Sequence, residues 1–227
     1  MTITTIHDQL DTDCKLRRRV RLIDKFDIKT GRKRLLEIIQ EKGFKRGVFK
    51  LTSGKLGAYY IDCRKVSLDA EGAYLIGCLL LNELSEMTID AIGGLTLGAD
   101  PIVTSVAMAS FQTNTKPINA FIVRKDTKEH GTNSGIEGPD IPKNAIVAIV
   151  DDVITTGGSA LKAAKRVEEQ GAKVGIILSI VDRLEGGRKE MEKQGYTVKS
   201  LFTIEDLGVS LSEIDEFQRK VEAGEIT

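Results

Sequence analysis

The sequence predicts a doubly wound α/β fold, in which a mainly parallel sheet is flanked by helices. Apolar runs rich in β-branched residues, typical of strands buried on both faces, occupy residues 89–92, 116–123, 145–150 and 173–181. Two of these runs lead through a turn of small residues into a helical pattern, as in a parallel sheet with crossover helices. A chain of 227 residues is long enough for one such domain with a substantial core.

The remaining elements follow from periodicity. Apolar residues at helical spacing predict amphipathic helices over residues 31–42 and 68–84 and a shorter helix over 185–194, while residues 197–204 are typical of an outer strand. Residues 44–67 alternate in the manner of a hairpin around two glycine-containing turns. Residues 205–227 form a charged tail that we expect to be helical.

Composition excludes several classes of partner. Lys plus Arg and Asp plus Glu both number 33, so the net charge is zero, and we expect no nucleic-acid or membrane-surface partner. Cys14, Cys63 and Cys78 are scattered without metal-ligand spacing, which is typical of reduced thiols in a cytoplasmic protein. The N-terminal residues are polar and then basic, so we expect no signal peptide, and no apolar run is long enough for a membrane span.

The most informative segment is residues 144–159, NAIVAIVDDVITTGGS. Its apolar run ends in two acids, Asp151 and Asp152, and a turn of small and hydroxyl residues then leads into a helix. Backbone N–H groups and the helix dipole favour an anion at such a turn, whereas the acids suit sugar hydroxyls or a hydrated magnesium ion. The pattern therefore suggests a ribose 5-phosphate site, although an ordinary strand-to-helix turn with solvated acids gives a similar sequence. The turn residues are Thr155, Thr156, Gly157, Gly158 and Ser159.

The complete string resembles the phosphoribosyl pyrophosphate signature of type I phosphoribosyltransferases. It has the apolar run, the two acids, the aliphatic pair Val153 and Ile154, and then Thr-Thr-Gly-Gly-Ser. The resemblance implies substrate contacts along this string, Val153 and Ile154 included. It differs from a nucleoside triphosphate loop, because no Gly-Lys-Ser/Thr follows the glycines. A second glycine-bearing turn, predicted over residues 93–98, faces the pyrophosphate in that family.

Three further segments resemble orotate phosphoribosyltransferases. Residues 51–66, LTSGKLGAYYIDCRKV, match the segment that forms a small hood over the base. Residues 124–141 are polar and carry a cluster of cations, as does the mobile catalytic loop of that family. Arg183 follows the strand at residues 173–181, where the family has the arginine that contacts orotate; the residues alone also allow a surface salt bridge with Asp182 or Glu185. The hood positions are Ser53, Gly54, Tyr59, Tyr60, Asp62 and Arg64, and the loop cations are Arg124, Lys125, Lys128 and His130.

The resemblance spans roughly residues 43–207 and implies an organisation. We expect an N-terminal extension over residues 1–30 and a single phosphoribosyltransferase domain over 31–227. Within the domain, the hood takes residues 31–68 plus a C-terminal segment, the core takes about 69–204, and a mobile lid takes 124–141. The family's lid completes the site of a neighbouring subunit, which implies a homodimer.

The resemblance also implies an activity, the magnesium-dependent transfer of ribose 5-phosphate from phosphoribosyl pyrophosphate to orotate. The turn would bind the 5-phosphate. Asp151 and Asp152 would bind the ribose hydroxyls, directly or through magnesium held mainly by the substrate. Lys125, Lys128 and His130 would close over the pyrophosphate. Thr155 and Arg183 would bind orotate, because a guanidinium matches a carboxylate or a pyrimidine edge.

Two alternatives remain at the level of sequence. One is a phosphoribosyltransferase for a purine or uracil; the cationic lid and Arg183 argue against it. The other is a regulator that senses phosphoribosyl pyrophosphate without turning it over, which would not require Lys128 or His130 and would usually have a basic face. The chain departs from some family members at Thr52 and Leu97, where they carry lysines, and this leaves more of the pyrophosphate contact to the lid.

Overall fold

The computed structural model of the chain describes residues 26–50, 54, 56–113, 116–125 and 135–226. Within these ranges, two strands form an antiparallel pair and six form a larger sheet. The strands are β1 Phe44–Lys50, β2 Leu56–Ile61, β3 Ala91–Leu95, β4 Asn119–Val123, β5 Ile136–Glu137, β6 Ile146–Ile154, β7 Lys173–Asp182 and β8 Val198–Thr203. The α-helices are α1 Ile28–Ile38, α2 Arg64–Ser67, α3 Ala70–Glu83, α4 Asp100–Phe111, α5 Gly158–Glu169, α6 Gly187–Lys193 and α7 Leu211–Glu222, and a π-helical turn, Ile39–Gly43, continues α1.

The large sheet has the strand order β5-β4-β3-β6-β7-β8. All neighbouring pairs are parallel except β4 and β5, so the predicted α/β class with a mainly parallel sheet is confirmed. The chain passes outward from β3 to β4 and then returns to place β6 on the other side of β3. This reversal creates a switch point between β3 and β6, where the carboxyl ends of open parallel sheets bind ligands.

Helices cover both faces of this sheet. One cluster of buried apolar side chains joins α1, α3 and α4 to the sheet, and a second joins α5 and Met191 of α6 to the opposite face. Three alanines of α5, namely Ala160, Ala163 and Ala164, are fully or almost fully buried, which lets this helix approach the strands closely. Such two-sided coverage explains why the central strands are apolar runs instead of alternating patterns.

Two glycines of β3 lie elsewhere than predicted. We predicted that Gly93 and Gly94 open a turn, but both lie inside the buried strand. A Cβ atom on Gly93 would meet the ring of Phe121 at 2.0 Å, and one on Gly94 would meet the carbonyl oxygen of Val150 at 2.1 Å. The glycines therefore permit close packing within the sheet, and only Gly98 belongs to the turn that follows.

The antiparallel pair β1–β2 and the C-terminal helix α7 contact each other beside the large sheet. Arg46 of β1 forms an ion pair with Glu213 of α7 at 3.2 Å, and the side-chain amide of Gln218 donates to the carbonyl oxygen of Leu56 at 3.3 Å. These are the segments that we assigned to a hood, whose boundaries, like those of the core, stay a prediction. Helix α7 confirms a helical tail but begins only after Ser210, which caps it together with Glu213.

The described residues begin within the predicted extension of residues 1–30, and residues 1–25 lie outside them. Helix α1 starts at Ile28, with the side chain of Asp27 accepting a hydrogen bond from the amide of Thr30 at 2.6 Å. The last residues assigned to the extension therefore already belong to the first helix. In the described ranges, no helix combines the length and apolarity that crossing a membrane requires.

Candidate active site

Most of the predicted site residues that the structure describes lie near the carboxyl ends of β4, β6 and β7. The loop after β3 reaches the acids of β6, since a Cβ atom on Gly98 would lie 2.9 Å from the carboxyl group of Asp152. The amide of Thr96, directly after β3, donates to the carbonyl oxygen of Val123 at the end of β4 (2.9 Å). The switch point between β3 and β6 is therefore lined by an acid pair, a glycine-containing loop and the stem of the predicted lid.

The two acids lie within β6 and not after it, because the strand continues to Ile154. The two carboxyl groups interact with each other, through their charge and a side-chain hydrogen bond. Asp151 is 9% exposed and its Oδ1 accepts a hydrogen bond from the amide of Asp152 at 3.0 Å, while the Oδ1 of Asp152 accepts one from the amide of Val153 at 2.9 Å. Neither acid has a cation within ion-pair distance among the described residues.

Burial dominates the electrostatics of this pair. It raises the pKa of Asp151 to about 8, with repulsion from Asp152 as the second cause, and it also raises the pKa of Asp152. The buried thiol of Cys63 lies near both acids, and burial followed by their negative charge raises its pKa as well. Ionised acids are therefore unfavourable here until a cation or hydrogen-bond donors compensate them.

The turn after β6 has the geometry of an anion site. Gly157 has φ 79°, a left-handed conformation that redirects the chain from Ile154 into α5. Among the described residues, the backbone amides of residues 156–160 and the hydroxyls of Thr155, Thr156 and Ser159 have no hydrogen-bond partner in the protein; the first turn amide that donates is that of Leu161, to Gly157. These donors surround the positive end of a twelve-residue helix, which favours a phosphate.

The stem of the predicted lid is fixed at the same edge. Strands β4 and β5 pair antiparallel, and Arg124, which follows β4, forms an ion pair with Glu137 of β5 at 3.0 Å. The carbonyl oxygen of Lys125 accepts a hydrogen bond from the side chain of Lys162 on α5. Lys128 and His130 lie outside the described residues, so their contacts, like the substrate contacts assigned to Arg124 and Lys125, stay predictions.

Arg183 follows the last residue of β7, and its amide donates to the carbonyl oxygen of Ile154 at 3.0 Å. Its side chain is only 14% exposed and forms an ion pair with Glu185 at 2.8 Å. The Nε atom donates to the hydroxyl of Tyr59 at 3.1 Å, and the guanidinium lies 4.8 Å from the centre of that ring. Arg183 is thus a mostly buried cation between the hood strand β2 and the large sheet.

The sequence assigned substrate contacts to Val153 and Ile154, which the structure places differently. Val153 is partly buried against one core cluster, and the side chain of Ile154 is fully buried in the other, where it packs. Conversely, the sequence predicted Tyr59 only as a hood position, and Glu185 only as a surface ion-pair partner of Arg183. The pattern Tyr-Tyr-x-Asp-x-Arg was the only signal that could have drawn attention to Tyr59.

Comparisons with known proteins agree with this geometry. The family described as "Phosphoribosyl transferase domain" matches residues 83–216, which include β3, β6 and the turn at Thr155. The fold and the site thus define a phosphoribosyltransferase domain.

Individual relatives indicate which kind of phosphoribosyltransferase this chain resembles. An orotate phosphoribosyltransferase of Thermosynechococcus vestitus is 46% identical over 181 residues, which are 80% of this chain and 95% of that protein. The crystal structure of Mycobacterium tuberculosis orotate phosphoribosyltransferase in complex with Fe(III) dicitrate has a TM-score of 0.70 and 35% identity, covering 79% of this chain and 99% of that one. The same enzyme in complex with 5-phospho-α-D-ribosyl 1-diphosphate gives 0.67 and 33%, with the same coverage. The chain belongs to the orotate phosphoribosyltransferase family.

Proposed function

We propose that this protein transfers ribose 5-phosphate from phosphoribosyl pyrophosphate to orotate, giving orotidine 5′-monophosphate and pyrophosphate in pyrimidine biosynthesis. The observation that carries the proposal is the placement of three chemically distinct groups at one sheet edge. The amides and hydroxyls of the turn at Thr155 have no hydrogen-bond partner among the described residues and favour a phosphate. The acids of β6 favour sugar hydroxyls, and Arg183 favours an anionic base.

The reaction forms a bond between the orotate ring nitrogen and C1 of the ribose, while the bond from C1 to pyrophosphate breaks and the ring nitrogen loses its proton to the departing pyrophosphate or to water. Since no protein nucleophile is needed, the side chains act by positioning and by stabilising charge. The turn holds the 5-phosphate and Asp151 and Asp152 hold the ribose hydroxyls, so C1 stays between base and leaving group. The cationic lid residues Lys125, Lys128 and His130 oppose the charge that grows on pyrophosphate and exclude water.

An absorbance assay tests the reaction. The purified protein is mixed with phosphoribosyl pyrophosphate and magnesium, and orotate, uracil, adenine and hypoxanthine are supplied in turn. We expect consumption of orotate alone, because a neutral base offers no carboxylate to Arg183. Consumption of another base would favour the other-base alternative, and donor binding without any turnover would favour the regulator.

Magnesium is part of the proposal. Asp151 and Asp152 supply the oxygen donors that this ion prefers, but the described residues contain no group of three or more side chains that could hold a metal. The two acids would therefore hold magnesium mainly through ribose and pyrophosphate oxygens of the substrate. When bound, the ion would neutralise charge on the leaving pyrophosphate. A chelator should stop orotate consumption and added magnesium should restore it; turnover that survives chelation would contradict this part of the proposal.

We also propose a homodimer in which the lid of one subunit closes over the site of its partner. A second copy has a suitable surface, because the loop after β3 and the outer side of α4 carry exposed apolar side chains. Leu97 is 66% exposed, Met108 63% and Phe111 69%. Leu97 is next to Gly98, which packs against Asp152, so a partner seated on this surface would lie at the mouth of the site.

Mixed dimers test the shared lid. Lys128→Ala removes a lid cation, and Asp152→Asn alters the acid pair, so each variant alone should have little turnover. After co-refolding equal amounts, half of the dimers carry both chains, and one of their two sites has neither defect, so about a quarter of wild-type turnover should return. Recovery that stays at the sum of the two variants would place the lid in its own subunit. Phe111→Glu should yield monomers in light scattering, whereas Leu211→Glu, at an exposed apolar position on α7, should not.

A cytoplasmic location completes the proposal. Of the three cysteines, the structure describes Cys63 and Cys78, both buried and without a disulfide, as in a reducing compartment. Fractionation of cells that produce the full chain checks this, and recovery with membranes or in a secreted fraction would contradict it.

A further inference from the structure

We propose that Tyr59 and Glu185 are positioning residues for Arg183 and thereby determine the preference for a base that carries a carboxylate. The inference rests on the proposed function and assigns to the base site two residues beyond Arg183. Three contacts define the arrangement. Arg183 Nε donates to the Tyr59 hydroxyl (3.1 Å), Arg183 Nη2 pairs with Glu185 Oε1 (2.8 Å), and the Tyr59 hydroxyl donates to the same Oε1 (3.4 Å).

These contacts occupy one side of the guanidinium and leave the other side available. A guanidinium has five N–H groups in a plane, and a carboxylate binds best to two parallel ones. Tyr59 takes the Nε–H, Glu185 Oε1 lies 2.8 Å from Nη2 as an ion-pair partner outside hydrogen-bond geometry, and among the described residues none bonds to Nη1. The edge between Nη1 and Nη2 is therefore the one that a ligand carboxylate would meet.

Burial makes this orientation rigid. Tyr59 is 2% exposed, and its ring lies 4.8 Å from the guanidinium carbon of Arg183, so the plane of the guanidinium is held by packing, one hydrogen bond and an ion pair. Burial also raises the pKa of Tyr59, which keeps the phenol protonated and able to donate to Glu185. A long arginine side chain held in this way loses less freedom when it binds a ligand.

The backbone between Arg183 and Glu185 has the conformation that this contact needs. Leu184 has φ 58°, a left-handed conformation that is rare for a leucine, and its amide is held by the Oδ1 of Asp182 at 2.8 Å. The turn folds the chain back so that Glu185 faces Arg183 two residues earlier. Such a conformation persists only where surrounding contacts fix it, as the buried Asp182 does here.

Glu185 also affects selectivity through its charge. Arg183 and Glu185 together are neutral, so the site attracts anions such as phosphate and pyrophosphate less than a lone arginine would. A ligand must then match the free edge of the guanidinium in shape, which a planar carboxylate does. This explains why an acidic residue is placed beside a cation whose proposed role is to bind an acid.

The test separates positioning from a general structural role. Tyr59→Phe removes the Nε partner but keeps the ring, and Glu185→Ala removes the carboxylate. Each should raise the KM for orotate about three- to tenfold, with the KM for phosphoribosyl pyrophosphate, kcat and Tm little changed. Tyr74→Phe is the matched control, since its ring lies on α3 outside the hood, is 42% exposed and packs against Phe26.

Two additional variants show whether the effect passes through Arg183. Glu185→Gln keeps an acceptor oxygen and should restore most of the affinity for orotate that Glu185→Ala loses, while phosphate should inhibit it more strongly. In an Arg183→Ala background, Tyr59→Phe and Glu185→Ala should have no further effect on the KM for orotate.

The outcomes distinguish this inference from the proposed function. If the wild-type protein consumes orotate but the variants keep its KM, or if their effects add to that of Arg183→Ala, the positioning role is wrong and the proposed function stands. If the wild-type protein consumes no orotate, the proposed function fails, and this inference fails with it.

Discussion

The carboxyl ends of β6 and β7 lie side by side in the sheet, and both carry buried aspartates in very different surroundings. Asp182, at the end of β7, is fully buried, and its Oδ1 accepts the amide of Leu184 at 2.8 Å. Its Oδ2 lies 3.2 Å from the Nε of Arg188, an ion pair whose angles do not meet hydrogen-bond geometry. Asp151, at the end of β6, accepts one backbone amide and has no ion-pair partner among the described residues.

The difference indicates that Asp182 stabilises the fold, whereas Asp151 and Asp152 are suited to bind a ligand. A buried carboxylate needs a counter-charge or several hydrogen bonds, and Asp182 obtains them from its own chain. Asp151 and Asp152 obtain less, and burial raises the pKa of both. An arrangement that is unfavourable in the free protein is expected where a ligand supplies the missing charge.

The largest effect that this comparison predicts is on catalysis. Asp152→Asn keeps an oxygen that can accept from the amide of Val153, but it removes the negative charge that we propose for binding the ribose hydroxyls. We expect kcat for orotate to fall by about 10²–10³-fold while the fold is retained. The control is Asp90→Asn, near the amino end of β3 and thus at the opposite edge of the sheet, which should retain turnover. Wild-type turnover in Asp152→Asn would remove this acid from the mechanism.

The next effect is on stability. Asp182→Asn leaves Arg188 without its counter-charge and should lower the free energy of unfolding by about 1–3 kcal/mol. Denaturant unfolding measures this, with Asp215→Asn, on an exposed position of α7, as the control that should change it by less than about 0.5 kcal/mol. Equal stability of the two variants would show that Asp182 is not compensated by its own chain, and the contrast with β6 would be lost.

Replacing a buried acid of β6 should raise stability, whereas replacing Asp182 should lower it. The folded-state pKa of Asp151 is about 8 and its ordinary value is 3.8, so the folded protein holds this proton more tightly than the unfolded chain does. Stability from this group is therefore fully present below pH 3.8 and is lost as the pH rises toward 8. Asp151→Asn does not titrate, so its Tm should equal that of the wild type near pH 4 and exceed it by about 2–8 °C at pH 8.

Thermal unfolding of the ligand-free protein in a pH series checks this prediction. The Asp90→Asn variant provides the control, because its carboxylate has a lowered pKa and should not show a gain that grows with pH. A Tm difference that is independent of pH would mean that Asp151 is ionised in the folded protein without penalty.

Much of the fold could be predicted because its signals are local. The apolar run before Asp151 and the small residues after it define strand, turn and helix within one segment, so β6, the turn and α5 were predicted in the right order, although the strand includes both acids and continues to Ile154. Gly93 and Gly94 were misplaced, since a glycine pair also favours a turn and the ring of Phe121 that requires them lies elsewhere in the chain.

The base site was predictable only in part. Arg183 follows a buried strand, which is a local signal, but its contact with Tyr59 joins residues 124 positions apart. That contact depends on how β2 docks against the large sheet, and no pattern within either segment encodes it. The left-handed Leu184 that brings Glu185 back was equally hidden, because leucine rarely adopts this conformation.

The smallest predicted effect concerns the charge near Asp152. Burial is the main cause of its raised pKa, and attraction to Arg64, which pairs with Asp62 at 2.9 Å, acts in the opposite direction. Arg64→Gln removes that attraction, so the pKa of Asp152 should rise further. If the ionised acid is required, the acid limb of the pH profile of kcat/KM should then move slightly to higher pH. Lys65→Gln removes a neighbouring exposed charge and should leave the limb in place, since solvent screens it. An equal shift in both variants would point to long-range charge, and no shift in Arg64→Gln would assign the limb to a group other than Asp152.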